Sequence, residues 1–420
     1  MKVLLVNTSE HRGGAAIACG RLMQALRRSG VDARMLVAVN DDSDAIGYCD
    51  TPYKRWLYKW AFLWERVEIF TQNGLSRANL FAVSTADTGQ NITSHPAVQE
   101  ADIIHLHWVN QGFLSLSALQ QILSLGKPVV WTMHDMWPTT GICHHARTCD
   151  RYTDSCGQCM FLNSTHDHDL SHRTFVRKQG IYSTAPLHFV TCSAWLRNLA
   201  ERSALLKSSD TVCNIPNPID TQYFVPGDKS DARRTLRLPE DKKLILFGAV
   251  NAADKRKGID YFIDTLRILH DRNYSLSKKI ELVVFGSTAH MAMESLPYRC
   301  TSMGYITSPE TMRDIYRAAD VYVTPSLEEN LPNTIMEAMA CGTPCVGFDI
   351  GGIPEMINAT NGYVAQYKDA ADMAHGIANV LDDDNYPSKS KAAREKVITE
   401  YGEKAVASRY ISLYRSLLDK

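Results

Sequence analysis

At 420 residues the chain is long enough for two or three ordinary domains, each burying a core of its own, and too long for one. Its 45 Lys and Arg against 46 Asp and Glu give a formal net charge of -1, which removes the long-range field that draws basic proteins to nucleic acid; any anion site must be local. No apolar run reaches the roughly eighteen residues of a spanning helix. The opening MKVLLVN runs into a polar loop rather than a cleavage site, and the 11 cysteines read as free thiols, so a cytoplasmic protein is expected.

Short aliphatic runs alternate with amphipathic stretches along the chain: KVLLVN, DARMLVAV, DIIHLHW, PVVWTMHD and LHFVTCS, then KLILFGAV, IELVVFGS, DVYVTPS and TPCVGFD. This alternation predicts an α/β protein with parallel sheets covered by helices. Pro, Gly, Asn and Asp crowd together in CNIPNPIDTQYFVPGDKSDARR, which places a boundary between two similar units near Pro216 to Pro226. In such sheets ligands bind beyond the carboxyl ends of the strands, so chemistry is to be sought in the loops that follow them.

The first such loop, TSEHRGGAAIACGRLMQAL, carries Gly13 and Gly14 before a helix, which fits either backbone N–H groups approaching a phosphate or a tight turn needing positive φ. Asp41-Asp42-Ser43-Asp44 reads as a solvated charge run. In YKRWLYKWAFLWERVEIF, residues 53–70, Trp56, Trp60, Leu63 and Val67 recur at helical spacing beside Lys54, Arg55, Lys59 and Arg66, and Trp64 is also present. The pattern suits a membrane interface or a core-covering helix. After VVWTM come His134 and Asp135, and then CHHARTCDRYTDSCGQC, spaced C-x5-C-x6-C-x2-C. Cys143, Cys149, Cys156 and Cys159 could close a tetrahedral structural zinc site, with His144 or His145 as alternate ligands, or be unconnected thiols. A closed site has no open position for water, so a metal here is not expected to be catalytic.

The C-terminal half reads VYVTPSLEENLPNTIMEAMACGTPCVGFDIGGIPEMI. A strand ends at Pro325-Ser326, a loop carries Glu329, and a helix from about Pro332 carries Glu337 and stops at Gly342. Ionised carboxylates can grip vicinal diols, and the helix start near Asn333 and Thr334 offers N–H groups to a phosphate. Earlier, KRKG places Lys257 before Gly258.

PS-x-x-E-x7-E-A, followed by CGTPCV and GGIPE, resembles the signature of retaining family-4 glycosyltransferases of the GT-B fold. The GG loop, the HD after VVWTM, the IPNPID linker, the KRKG loop and a C-terminal helix ending YISLYRSLLDK follow in the same order. The resemblance implies two Rossmann-like domains facing across a cleft: an acceptor-side domain at 1–215 with a Cys-rich insertion at 143–159, a donor-binding domain at 216–395, and a helix at 396–420 returning to the first.

It further implies roles. Glu337 would hold the ribose of a nucleotide sugar and Glu329 the transferred sugar, while Lys257 would grip the diphosphate. Relatives often place an Arg after the strand glycine; here Ala249 follows Gly248, so Arg256 is expected to supply that second cation. His134 would lie beside the donor sugar, making His134, Lys257 and Glu329 the catalytic group. Gly13, Gly14, Asn333 and Thr334 would face the phosphates, and Gly286 and Tyr305 the nucleobase. Asp135 would cap the following segment or touch the acceptor, Asn217 would shape the hinge, and Glu355 would tie its loop to its neighbours. The implied activity moves a hexose-type sugar from a UDP- or GDP-type donor to a glycan or polyprenyl-linked acceptor, with retention and with no metal required. HD-x-W-x-x-T-G-x-C is similar to a subgroup that builds bacterial capsular, exopolysaccharide or O-antigen chains, which implies peripheral association with the inner face of the plasma membrane. The alternatives are an epimerase or phosphorylase on the same fold, and a zinc-stabilised binding protein without catalysis.

Overall fold

In the computed structural model, which describes residues 1–40, 44–248, 254–286, 296–381 and 384–419, the apolar runs become the strands of two parallel sheets. Asp41 to Ser43 and Ala249 lie outside the described residues. The chain divides into two compact units, residues 1–218 together with the segment from Val406 on, and residues 219–405.

The sheet of the first unit comprises β1 (Lys2–Val6), β2 (Asp32–Val37), β3 (Ile46–Gly47), β4 (Ile103–Leu106), β5 (Val129–Met133), β6 (His188–Thr191) and β7 (Thr211–Asn214), in the order β3-β2-β1-β4-β5-β6-β7. Strand β1 is parallel to both neighbours, with Val3 opposite Ala33 and Ile103. It is apolar at successive positions because both faces are covered. Val3 and Leu5 join one core, Leu4 and Val6 the other. The first of these cores is completed by the helix Glu403–Leu418, which contributes Val406, Ala407, Tyr410, Tyr414 and Leu417 at helical spacing. Its tyrosines are also held by polar contacts inside the sheet. Tyr414 OH lies 2.7 Å from His105 Nδ1, and Tyr410 OH lies 2.9 Å from Thr132 Oγ1.

The second unit has β8 (Lys243–Gly248), β9 (Ile280–Phe285), β10 (Cys300–Ser302), β11 (Val321–Thr324), β12 (Cys345–Phe348) and β13 (Gly362–Ala365), in the order β10-β9-β8-β11-β12-β13. Asp320, just before β11, accepts from Arg233 Nη2 at 2.7 Å and from the Leu244 N–H at 2.7 Å. A buried carboxylate paired in this way ties the entry of β11 to β8. In both sheets the strand order reverses once, between β1 and β4 and between β8 and β11. Those reversals open the crevices where α/β sheets bind ligands.

Candidate active site

The switch point of the second sheet is built by two loops that interlock through glycine. After β8, Asp254 caps the turn Lys255–Lys257 by accepting from the Arg256 N–H at 3.0 Å. Gly258 follows at φ 66°, and a Cβ there would stand 1.9 Å from Pro325 O. Only glycine lets the turn lie against the end of β11. The Leu327 N–H then donates to Arg256 O at 2.7 Å. From the other side Gly351, at φ 60°, packs where a Cβ would meet Glu329 O at 1.8 Å, and the Gly352 N–H donates to Asn330 O at 2.8 Å.

This scaffold brings Lys257 and Glu329 together: the ammonium donates to Glu329 Oε1, and Ser326 Oγ reaches the same oxygen at 3.3 Å. Lys257 keeps about a third of its side-chain surface in water (34%), so the pair contributes little to stability, of order 0–1 kcal/mol. Its geometry suits a cation that can exchange partners. Next, the helix Asn333–Ala340 begins after Pro332 with no side-chain cap, with Asn333 and Thr334 half-buried in its first turn. One turn further Glu337 is buried, and Tyr316 OH donates to its Oε2 at 2.9 Å. Burial, then the Glu337 charge, pushes the Tyr316 phenol well up, so it stays a donor.

Arg256 is engaged by Asp254 through two bonds, Nη2 at 2.7 Å and Nε at 3.1 Å, so its charge is already matched within its own turn. Gly286, at φ 117° after β9, donates its N–H to Gly304 O at 2.8 Å, and the neighbouring Tyr305 is exposed. Glu355 is tied to its neighbours through its carbonyl, which accepts from Tyr401 OH at 3.4 Å.

In the first unit, Gly13 stands at φ 92° immediately before the helix Gly14–Arg28, which has no side-chain cap. A Cβ on Gly13 would meet nothing within 4 Å, so its backbone angle requires the glycine and the space at the helix start stays open. His134 follows β5, with Nε2 3.0 Å from His107 Nδ1 and Nδ1 3.7 Å from Cys192 Sγ. Cys192 Sγ in turn lies 3.1 Å from Asn217 Oδ1. Burial lowers His134 to about 4 and His105 to about 3, and drives His107 well below its ordinary value. A row of neutral imidazoles results.

Asp135 is used internally. It accepts from the Trp137 N–H at 2.9 Å, from Trp108 Nε1 at 2.9 Å and from His144 Nδ1 at 2.7 Å. Burial alone would raise this carboxyl, but His144 beside it brings it down to about 2. His144, the alternate metal ligand of the sequence reading, is held by the same contacts. Its Nδ1 lies 2.7 Å from Asp135 Oδ2 and its Nε2 3.3 Å from Ser84 Oγ. Sequence reading missed His107, Tyr316 and Ser326. His107 had a signal, since DIIHLHW ends at the same edge of the sheet as WTMHD.

With this geometry in view, the comparisons with known proteins are informative. A family model described as Glycosyltransferase Family 4 matches residues 12–223, and one described as Glycosyl transferases group 1 matches residues 241–383. The chain belongs to glycosyltransferase family 4. Among curated relatives it is similar to D-inositol 3-phosphate glycosyltransferase of Geodermatophilus obscurus, 29% identical over 179 residues, covering 40% of this chain and 39% of the relative. An uncharacterized glycosyltransferase of Methanocaldococcus jannaschii is 28% identical over 201 residues, covering 46% of this chain and 50% of the relative. The family-4 chain thus spans about 39% to 50% of the length of these relatives. Among solved structures, sucrose-phosphate synthase from Thermosynechococcus elongatus superposes with a TM-score of 0.68 at 19% identity over all of both chains. Anabaena HepE in complex with UDP-glucose gives 0.63 at 15% identity, over 99% of this chain and all of that one. The fold is GT-B.

Two further features of this family-4 chain follow the loop after β5 and the helix Pro52–Gln72. Cys143, Cys149, Cys156 and Cys159 are free thiols that line one cavity of about 20 Å³. Burial raises Cys156 to about 12 and Cys159 to about 11. Among the described residues, no three His, Cys, Asp or Glu side chains stand in a preset metal-holding arrangement. On the helix, Trp56, Trp60, Leu63, Trp64 and Val67 are exposed, while Ala61, Glu65, Arg66 and Ile69 face inward. Arg66 is therefore not the interfacial cation its place in the sequence suggests. Its Nη2 pairs with Glu65 at 2.5 Å, and Glu65 also accepts from the Thr85 and Ala86 N–H groups. No described helix is long and apolar enough to cross a membrane.

Proposed function

We propose that this family-4 chain transfers a hexose-type sugar, with retention of anomeric configuration, from a nucleotide-sugar donor to a glycan or lipid-linked glycan acceptor in bacterial surface polysaccharide synthesis. The observation that carries the reading is the Lys257–Glu329 pair at the β8/β11 switch point, one loop from the buried Glu337. When a donor binds, Lys257 exchanges Glu329 for the diphosphate, and the freed carboxylate accepts hydroxyl bonds from the sugar. Glu337, held by Tyr316, grips the ribose diol. Lys257 and the uncapped start of the helix Asn333–Ala340 then stabilise the charge that grows on the departing diphosphate. The glycosidic C–O bond breaks as the acceptor oxygen attacks from the same face, and a phosphate oxygen takes the acceptor proton. Arg256, Gly286 and Tyr305 complete the donor side of this reading.

In the first unit, Gly13 and Gly14 present the helix start to phosphate, and His134, kept neutral, offers a hydrogen bond to the sugar without adding a charge. Its 3.7 Å contact with Cys192 is the one a sugar hydroxyl would displace. A UDP-type donor is favoured by the neighbouring structure with UDP-glucose. The exposed tryptophans of the helix Pro52–Gln72, with Arg55 and Lys59 also exposed on it, support contact with an anionic membrane surface that presents the acceptor.

A thermal-shift panel of UDP-, GDP- and ADP-sugars tests the reading, since a ligand at about a hundred times its dissociation constant adds roughly 2.7 kcal/mol. One base class is expected to stabilise the protein, with nucleotide diphosphate released when acceptor is added. Stabilisation by none of them, or conversion of the donor to an epimer without acceptor, overturns it.

A further inference from the structure

The loop that follows His134 poses a problem of charge. Lys178 is completely buried, with its ammonium on Trp137 O at 2.6 Å and Thr140 O at 2.9 Å and 3.5 Å from the centroid of the Trp137 ring. Among the described residues no carboxylate lies within ion-pair distance of it. A buried charge left without a counter-charge is expensive. Two other buried groups of this unit have side-chain partners: Asp135 lies 2.7 Å from His144 Nδ1, and Glu65 lies 2.5 Å from Arg66 Nη2. The same loop runs on into the four thiols of the C-x5-C-x6-C-x2-C segment, which line a common cavity.

The segment is also built for sulfur ligands. Cys156, Gly157 and Gln158 all take positive φ (56°, 118° and 45°), so the C-x-x-C turn folds tightly back on itself. A Cβ at Gly157 would stand 2.3 Å from Asp167 O, and one at Gly141 would stand 2.3 Å from Ser171 O and 3.3 Å from Cys156 Sγ. Neither glycine can be replaced without moving the turn that carries the sulfurs.

We propose that Cys143, Cys149, Cys156 and Cys159 close a four-thiolate zinc site, with Lys178 as its buried counter-charge. Four soft sulfur donors around one small, partly open cavity match tetrahedral zinc in number and chemistry. The sulfurs surround the cavity without being preset at ligating distance, so the site closes by side-chain rotation as the metal enters. Each thiol gives up its proton to solvent as its S–Zn bond forms, four protons in all, and the resulting cluster carries a net charge of -2. Lys178 neutralises part of that charge and, through Trp137 O and Thr140 O, fixes the segment that begins at His134. The metal acts as a staple for that segment and takes no part in the transfer.

Zinc content of the full chain, purified under reducing conditions without chelator, tests this independently of any transferase assay. About one zinc per chain is expected by elemental analysis, lost in the Cys156→Ser/Cys159→Ser double variant and kept in Cys300→Ser. Lys178→Gln is expected to keep the site but to weaken it by roughly ten- to a hundredfold in competition with a chelator. Native protein with less than about 0.2 zinc per chain overturns the proposal. So does alkylation of the denatured, unreduced chain that leaves any of the four blocked by a disulfide. Unchanged chelator competition in Lys178→Gln overturns the counter-charge.

Discussion

Lys257 and Glu329 in the second unit keep their charges within reach of water, whereas His105, His107 and His134 in the first are held neutral by burial. Lys257 and Glu329, like His107 and His134, lie in loops beyond the carboxyl ends of parallel strands at or beside a switch point, while His105 sits within β4. The contrast teaches how one architecture divides its labour under the proposed function. Charge is kept mobile where a diphosphate must arrive and depart, and dipoles are fixed where a neutral sugar has only to be oriented.

The comparison breaks first if Lys257 proves dispensable. Lys257→Ala is expected to lower kcat/KM by roughly 10²–10³-fold, through kcat, as for loss of one transition-state donor. A loss confined to KM would make the lysine a ground-state anchor only. Glu337→Ala is expected to weaken donor binding by about 1.5–3 kcal/mol by titration calorimetry, the worth of charged hydrogen bonds to a diol. Donor affinity left untouched would remove Glu337 from the site.

The neutral side is tested by acid. His134 at about 4 and His105 at about 3 lie below the ordinary value of 6.5, so the unfolded chain binds protons that the native one refuses. Their contribution is full above about pH 6.5 and is lost as pH falls toward those values, at about 2 kcal/mol for each histidine by pH 5. Melting temperature should therefore drop between pH 7 and pH 5, and a flat profile would contradict the burial of these rings. Smallest in stability is Trp56→Ser with Trp60→Ser, expected to stay within about 0.5 kcal/mol because both are exposed. Flotation with anionic liposomes should nonetheless be lost; indifference would return the helix to an ordinary surface role.

The two regions also differed in how far they could be read from sequence. That Glu329, Glu337 and Lys257 stand at the loops following β8 and β11 was legible because PS-x-x-E-x7-E and KRKG fix residue types at short spacing. His134 was visible through its motif, but the row it belongs to was not, because other partners are remote: Tyr414 meets His105 across 309 positions, a relation no local pattern encodes. Among the strands, the long apolar runs were evident, while β3, β7, β10 and β13 were missed. These are edge strands or neighbours of the linker with two to four residues each, several half-exposed, so they lack the run of buried side chains that marks an inner strand. Asp135 and His144 were visible as motif residues, but only the packing showed that they satisfy each other.

The helix Glu403–Leu418 gives the first unit a dependence on time. His105 and Thr132, bonded to each other at 2.7 Å, are made early in synthesis, yet their further partners, the hydroxyls of Tyr414 and Tyr410, leave the ribosome only after the whole second sheet. Until then the first unit carries an uncovered apolar face and a half-satisfied His105, while residues 219–405 can already fold as a unit. The half of the molecule that is translated first is thus the half that finishes folding last, and a chain cut short before Val406 would announce itself to proteases through its oldest part.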